Sequence, residues 1–364
     1  MFDRRLVKHF DWILLLLTVL VIAVGLVNLY SATSNLSSHR IFYRQAIWVG
    51  VGFGALLASL LFNYQKLEKY AYHLYGVGLI LLAAVLIVGQ TVSGSTRWIV
   101  VGPVSFQPSE ISKLILIVAL ARLLFRRQLH EPLSLADTLL PLAFMAVPFI
   151  LILKEPDLGT ALLLVFITTS LMVFVGIKAR VFLSLAGATV FFIPLVWNLL
   201  KEYQKERIIA FIYPESDPMG SGYHILQSKI AVGSGGLIGK GYMASTQSQL
   251  NFLPEHHTDF AFSVLAEEWG FIGAGLVILL FLAIVIRGFS VVRNSTNMFG
   301  SLVAVGVISM FFWQMCINIG MVSGLLPVVG IPLPFISYGG SSVVSSMLAL
   351  GLMMNISMRR FLFR

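Results

Sequence analysis

The sequence predicts an all-α polytopic membrane protein of about ten transmembrane helices, with one large extracytoplasmic loop between the seventh and eighth. Three observations carry that prediction. Of 364 residues, 58% are hydrophobic and only 11% charged, and the mean hydropathy is +0.90; ordinary soluble domains hold about a quarter charged residues. Apolar runs recur along the whole chain, most of them close to the ~20 residues that cross a hydrocarbon core of ~30 Å. One stretch, 201–258, is too polar to span and too long to be a turn. The chain reads as a single membrane domain over 1–364, with 201–258 as its large loop.

The runs fall at roughly 12–31, 41–62, 71–90, 109–125, 138–154, 159–177, 181–200, 259–286, 298–323 and 341–357. Arg4, Arg5 and Lys8 precede the first run as in a signal sequence. No small-residue cleavage pattern follows and the run is long enough to span, so it reads as an uncleaved first helix. The shorter runs must tilt, extend into their Pro/Gly-rich flanks or face protein.

The net charge of +9 does not point to nucleic acid, because the basic residues form no block interleaved with aromatics. They mark topology instead. Arg4, Arg5, Lys8, Lys66, Lys69, Arg122, Arg126, Arg127, Lys178, Arg180, Arg287, Arg293, Arg359, Arg360 and Arg364 fall in alternate segments on one side, against Arg40, Arg44, Arg97 and Lys154 in the short segments of the other. Positive charge is retained in the cytoplasm, so both termini are expected there and 201–258 outside. Cys316, the sole cysteine, lies in an apolar run and is expected to pack; it permits no intramolecular disulfide and no Cys-based metal site.

Glycine, proline and polar residues collect at 91–108, 201–258 and 324–342, all on the outer face. Ionisable groups within spans are costly and are functional candidates by default. Glu110 and Lys113 lie three apart on one helical face and can pair. Lys154, Glu155 and Asp157 stand at the junction of helices five and six, where one polar pocket could collect Glu110, Lys113 and Asp157. A structural ion-pair knot is the competing reading. Asp259 ends the string Leu253-Pro254-Glu255-His256-His257-Thr258-Asp259 at the start of the eighth run. It is either a reactive carboxylate or, with Thr258, an N-terminal helix cap. Glu267 and Glu268 point away from it and are expected to anchor helix contacts.

His256 and His257 lack HExxH spacing or a third ligand, so they read as loop histidines facing water. The segment Gly233-Ser234-Gly235-Gly236-Leu237-Ile238-Gly239-Lys240-Gly241 fails the GxxxxGK[ST] frame. It remains either a backbone cradle for a diphosphate or a loose glycine loop. Met and Phe on the apolar runs need only lipid contact and packing.

Five strings in order, Phe106-Gln107-Pro108-Ser109-Glu110 with Lys113, Pro156-Asp157-Leu158-Gly159-Thr160, Gly233-Ser234-Gly235-Gly236 with Gly239-Lys240-Gly241, Phe252 through Phe260, and Leu325-Leu326-Pro327 through Gly339-Gly340-Ser341-Ser342, resemble the SEDS (shape, elongation, division, sporulation) family over nearly the whole chain. The segment Gly324 through Pro334 and the short N-terminal tail look more like its elongation, RodA-like branch than its FtsW-like division branch. The resemblance implies a peptidoglycan glycosyltransferase that polymerises lipid II outside the bacterial cytoplasmic (inner) membrane, with a class B penicillin-binding protein (a transpeptidase) as partner. It implies Asp259 as the essential acid and Glu110, Lys113 and Asp157 as a polar cluster.

That chemistry needs a base for an acceptor hydroxyl and positive charge for a departing diphosphate. Asp259 would be the base, and Arg207, Lys229 and Lys240 are candidates for the diphosphate. A divalent cation (Mg or Mn) would suit the same role without leaving a sequence signature, and no residue is assigned as a metal ligand. An α-linked donor and a β-linked product imply inversion, for which one catalytic carboxylate suffices. Two other classes remain open at this stage. A flippase would use Glu110, Lys113 and Asp157 as a polar path; a non-catalytic scaffold of the cell-wall machinery would tolerate Asp259→Asn.

Overall fold

The computed structural model describes residues 9–34, 39–92, 95–102, 104–127, 131–217, 220–250, 252–253 and 255–360. Arg4, Arg5, Lys8, Pro254 and Arg364, used above for topology and motif, lie outside the described residues. Ten long helices follow the apolar runs: α1 (Trp12–Ala32), α2 (Arg40–Leu61), α3 (Tyr64–Val88), α4 (Pro108–Arg126), α5 (Leu135–Lys154), α6 (Leu158–Val175), α7 (Ala179–Leu199), then α11 (Ala261–Asn294), α12 (Met298–Val322) and α13 (Gly340–Arg359). Eight are long and apolar enough to cross a membrane by composition alone. The fourth, α4, carries Glu110, Lys113, Arg122 and Arg126, and is shielded by protein instead of lipid.

The interior is built on α12 and α13, which other helices wrap. Their small residues let backbones approach closely. A Cβ on Gly351 would collide with Ser59 of α2, and one on Gly306 would strike Ile117 of α4. At the ends of α1 and α11 opposite the polar segment, Arg287 Nε donates to Asp11 at 3.0 and 2.9 Å and joins the two helices.

Two features depart from the expectation of bare loops. Residues 90–106 fold into an antiparallel meander, β1 (Gln90–Val92), β2 (Ser95–Val101) and β3 (Val104–Phe106), in the order β1-β2-β3. The polar stretch is itself helical, with α8 (Glu202–Ile212), a single 3-10 turn (Pro214–Ser216), α9 (Ser221–Ser234) and the short α10 (Thr246–Gln249). In α9, Ile225 and Ser228 sit on the side packed against α11.

The eighth span breaks at Gly270, which adopts φ 65° and ψ −164° inside α11. A break frees backbone groups that must find partners. The turn after α9 supplies them: Lys240 N–H donates to Glu267 O and Gly241 N–H to Glu268 O, each at 3.0 Å. In return Phe271 N–H donates to Gly236 O at 2.9 Å and Ile272 N–H to Leu237 O at 3.2 Å. The glycine segment is therefore neither a loose loop nor a diphosphate cradle. The amides of Lys240 and Gly241 are committed to the helix break and those of Gly236 and Gly239 to carbonyls of the segment itself, and its glycines permit the close approach, since a Cβ on Gly235 or Gly239 would meet the carbonyls of Ala266 or Glu268.

Candidate active site

Spans entered alternately from opposite faces place the N-termini of α4, α6, α11 and α13 at the same end of the bundle. Between them, roofed by β2 and by α8 and α9, lies a cavity of about 550 Å³. Its lining includes Arg97, Gln107, Glu110, Asp157, Arg207, His224, Glu255, Asp259, Gly330 and Tyr338. Four helix N-termini carry partial positive charge and unpaired amides toward this end, which favours an anionic ligand.

Asp259 sits in the turn before α11, half-buried in the cavity wall. It is not a cap. The N-cap is Phe260, which makes no side-chain cap bond, and Thr258 Oγ1 turns back to donate to Glu255 O at 3.2 Å and Oε2 at 2.9 Å. Burial, seconded by the negative charge of Glu255, pushes the Asp259 carboxyl up to about 6, while Arg207 and Arg97 pull the other way. The carboxyl is thus ionised at neutral pH yet more basic than an ordinary aspartate.

Arg207 reaches the cavity from α8 and donates Nη1–H to Val328 O at 3.2 Å. Arg97 reaches it from β2. Its Nε–H donates to Glu155 O at 3.3 Å, Nη2–H donates to Pro156 O, and Nη1 lies 3.8 Å from Asp157 Oδ1. Asp157 caps α6, accepting from Thr160 N–H at 3.1 Å and from Thr160 Oγ1–H at 2.9 Å. Gln107 Nε2–H also donates to it at 3.4 Å. Below, Lys113 donates to Glu110 Oε1 at 2.8 Å and Ser345 to Oε2 at 3.0 Å, tying α4 to α13. Glu110 faces the cavity, whereas Lys113 is fully buried behind it.

The structure brings Asp259, Glu110, Asp157 and Arg207 together, with Lys113 one layer beneath. It does not bring Lys229 or Lys240. The Lys229 stem lies across Gly324, outside the cavity lining. Lys240 donates to Glu267 Oε1 at 2.6 Å and to Thr246 Oγ1 at 3.0 Å. Its charge is spent on a buried carboxylate that also accepts from Ser245 Oγ at 2.5 Å. Glu267 and Glu268 anchor helices as expected; Glu268 accepts from Ser31 of α1.

The histidines do not face water. His256 is buried with Nδ1 2.8 Å from Leu253 O, and His257 packs near Tyr338. Burial also lowers the His224 pKa, so that the ring lining the cavity is neutral at pH 7. Among the described residues no group of three His, Cys, Asp or Glu side chains is placed to hold a metal ion. The cationic side chains that line the cavity are Arg97 and Arg207.

Sequence reasoning passed over Arg97, Tyr338 and Asn318 as site residues. Arg97 had been counted only as a topology charge, although it adjoins Trp98 in a Gly/Ser-rich outer segment. Asn318 Nδ2–H donates to both Asp259 O at 3.0 Å and Ile331 O at 2.8 Å from within α12. Only the folded chain reveals that contact.

The family model for FtsW, RodA and SpoVE, described as cell cycle proteins, matches residues 9–361. The peptidoglycan glycosyltransferase MrdB of Escherichia coli K12 is 38% identical over 97% of this chain and 94% of its own length. Stage V sporulation protein E of Bacillus subtilis is 39% identical over 95% and 96%. Among solved structures, a chain from a peptidoglycan synthase complex that coordinates polymerisation and crosslinking superposes with a TM-score of 0.85 at 33% identity, covering 97% of this chain and 98% of that one. The rod shape determining protein RodA of Thermus thermophilus does so with 0.73 at 30%, with the same coverage. Match, fold and the ordered motifs around the cavity agree: the chain belongs to the FtsW/RodA/SpoVE family of cell cycle proteins.

Proposed function

We propose that this chain is a peptidoglycan glycosyltransferase that polymerises lipid II at the outer face of the bacterial cytoplasmic membrane, during cell elongation. The observation that carries the reading is the placement of the Asp259 carboxyl in one cavity with the guanidinium groups of Arg207 and Arg97, where four helix N-termini converge. The names of its relatives point to the same reaction class.

In the proposed step Asp259 accepts the proton of the acceptor sugar's 4-hydroxyl. The oxygen attacks the anomeric carbon of the donor as the bond from that carbon to the diphosphate breaks, and configuration inverts. The electron pair leaves on the diphosphate, whose charge Arg207 and Arg97 receive. Arginine suits this role because its planar fork matches phosphate oxygens. A leaving group so stabilised needs no second acid. Asp157, held by Thr160, Gln107 and Arg97, orients the Arg97 guanidinium, and the Glu110–Lys113 pair fixes the cavity floor.

An apolar groove of about 550 Å³ between α6, α11 and α12, lined by Phe166, Phe312 and Trp313, offers room for a polyprenyl tail within the bilayer. A transporter would call for ionisable groups at the midplane. The candidate residues instead line helix N-termini at one end, which favours chemistry over transport. Both termini are placed in the cytoplasm, and a class B penicillin-binding protein supplies the crosslinking partner.

The test is polymerisation of labelled lipid II by the purified chain with that partner. Glycan strands are expected from the unaltered protein and none from Asp259→Asn in an equally assembled complex. Because the folded pKa of Asp259 lies near 6, turnover should fall about tenfold per pH unit below that value. Polymer from both proteins would remove Asp259 as the base; polymer from neither, with an active partner, would overturn the enzyme reading.

A further inference from the structure

The segment Val328-Val329-Gly330-Ile331, between α12 and α13, touches three of the elements that present charged groups to the cavity: α8, the start of α6 and the turn before α11. Arg207 is anchored on Val328 O. A Cβ on Gly159, two residues after Asp157, would lie 2.6 Å from Val329 O, so the start of α6 rests directly on this backbone. Gly330 adopts φ +74°, and a Cβ there would stand 3.3 Å from Asp259 Oδ2, so the carboxylate rests against it. Asn318, fully buried in α12, donates its two amide hydrogens to Ile331 O and to Asp259 O.

We infer that Asn318 is a positioning residue: by clamping the carbonyls of Asp259 and Ile331 it fixes the base against the strap that also carries Arg207, and so sets the distance between base and leaving-group cation. The inference rests on the glycosyltransferase reading. Its physical basis is that the two carbonyls have opposite chain contexts, one before α11 and one before α13, and only the forked amide holds both. Removing the amide takes a donor from both carbonyls at once. Displacement of a reacting group by about 1 Å lowers a rate by roughly 10²-fold. Loosening the clamp also admits water beside Asp259. Glu255 and Asp157 raise the proton affinity of that carboxyl and Arg207 and Arg97 lower it, with His224 and Glu110 lining the same cavity. Hydration therefore moves it toward the ordinary aspartate value.

The experiment compares the full chain with its penicillin-binding partner, unaltered and as Asn318→Ala, Asn318→Asp and Gln314→Leu, on labelled lipid II across pH 5 to 8. Gln314 is the control: it is equally buried one turn away on α12, its amide has no hydrogen-bond partner on Asp259 or the strap, and it does not line the cavity. For both Asn318 variants we expect kcat to fall roughly 10- to 100-fold with KM within about twofold, and for Asn318→Ala the acid limb to move to lower pH. Asn318→Asp preserves shape, which guards against a simple packing loss. Amide hydrogen exchange should quicken together at 257–261 and 328–332 in these variants, and not in Gln314→Leu. Normal kcat and an unmoved acid limb in folded Asn318 variants overturn the clamp while leaving the enzyme reading intact. An equal kcat loss in Gln314→Leu also overturns it, in favour of general packing. Absence of polymer from the unaltered complex overturns the enzyme reading, and the catalytic role of Asn318 with it.

Discussion

At the scale of single residues, two carboxylates two positions apart take opposite fates. Asp157 is surrounded by donors from Thr160, Gln107 and Arg97, whereas Glu155 is fully buried with both side-chain oxygens unpartnered. A buried acid without donors protonates before it tolerates its charge. Burial first, then the charge of Asp157, pushes Glu155 up to about 8 against the pull of Arg97. Only its carbonyl does visible work, accepting from Arg97 Nε–H. The sign follows: a raised folded pKa contributes stability below the ordinary value of 4.5, and that contribution is lost as pH rises through about 8. Glu155→Gln, neutral at every pH, should match the unaltered protein near pH 4 and exceed it by a margin that grows to about 5 kcal/mol above pH 8. Thermal unfolding followed from pH 4 to 9 checks this. A stability difference that does not vary with pH would show that Glu155 is ionised and paired.

At the scale of elements, what was legible is what a bilayer dictates. The apolar runs at 12–31, 109–125 and 298–323 became helices at Trp12–Ala32, Pro108–Arg126 and Met298–Val322, because hydrocarbon thickness fixes length and the unsatisfied backbone must coil. The Glu110–Lys113 pair followed from helical spacing alone. The meander at 90–106 and the helices within 201–258 were hidden, because short polar elements owe their stability to what they pack on. The break in α11 was hidden for the same reason. Glu267 and Glu268 interrupt the run just before Gly270, but its break is visible only with the partner turn at 235–241 that satisfies the freed backbone groups. This gives a specific expectation. Gly270 stands at φ 65° and ψ −164°, a region open to glycine, and a Cβ would collide with Gly239 N. Gly270→Ala should cost about 3 kcal/mol or more and release 235–241, and with it the Lys240–Glu267 pair, to rapid hydrogen exchange. Exchange protection at 235–241 equal to the unaltered protein would show that the break is not what holds this turn.

At the scale of the whole molecule, the end of the bundle that carries the cavity must face the side where the donor lipid presents its sugar. The charge distribution argues for the outer side. Lys and Arg crowd the segments opposite the cavity, and the even-numbered spans all begin at the cavity end, as they must when the first span begins in the cytoplasm. Two exposed acids sample the two faces: Glu202 at the start of α8 and Glu131 between α4 and α5, whose side chains are 83% and 82% accessible. Each joins only a surface ion pair, with Lys205 at 3.0 Å and Lys178 at 3.5 Å, so replacement costs about 1 kcal/mol or less. In a Cys316→Ser background, which removes the sole native thiol, Glu202→Cys should react with a membrane-impermeant maleimide in intact spheroplasts. Glu131→Cys should react only after the membrane is opened. The reverse pattern would put Asp259, Arg207 and Arg97 in the cytoplasm and end the case for polymerisation on the outer face. Labelling of both sites in intact spheroplasts would mean that an even number of helices crosses between them, and the count of ten spans would have to be revised.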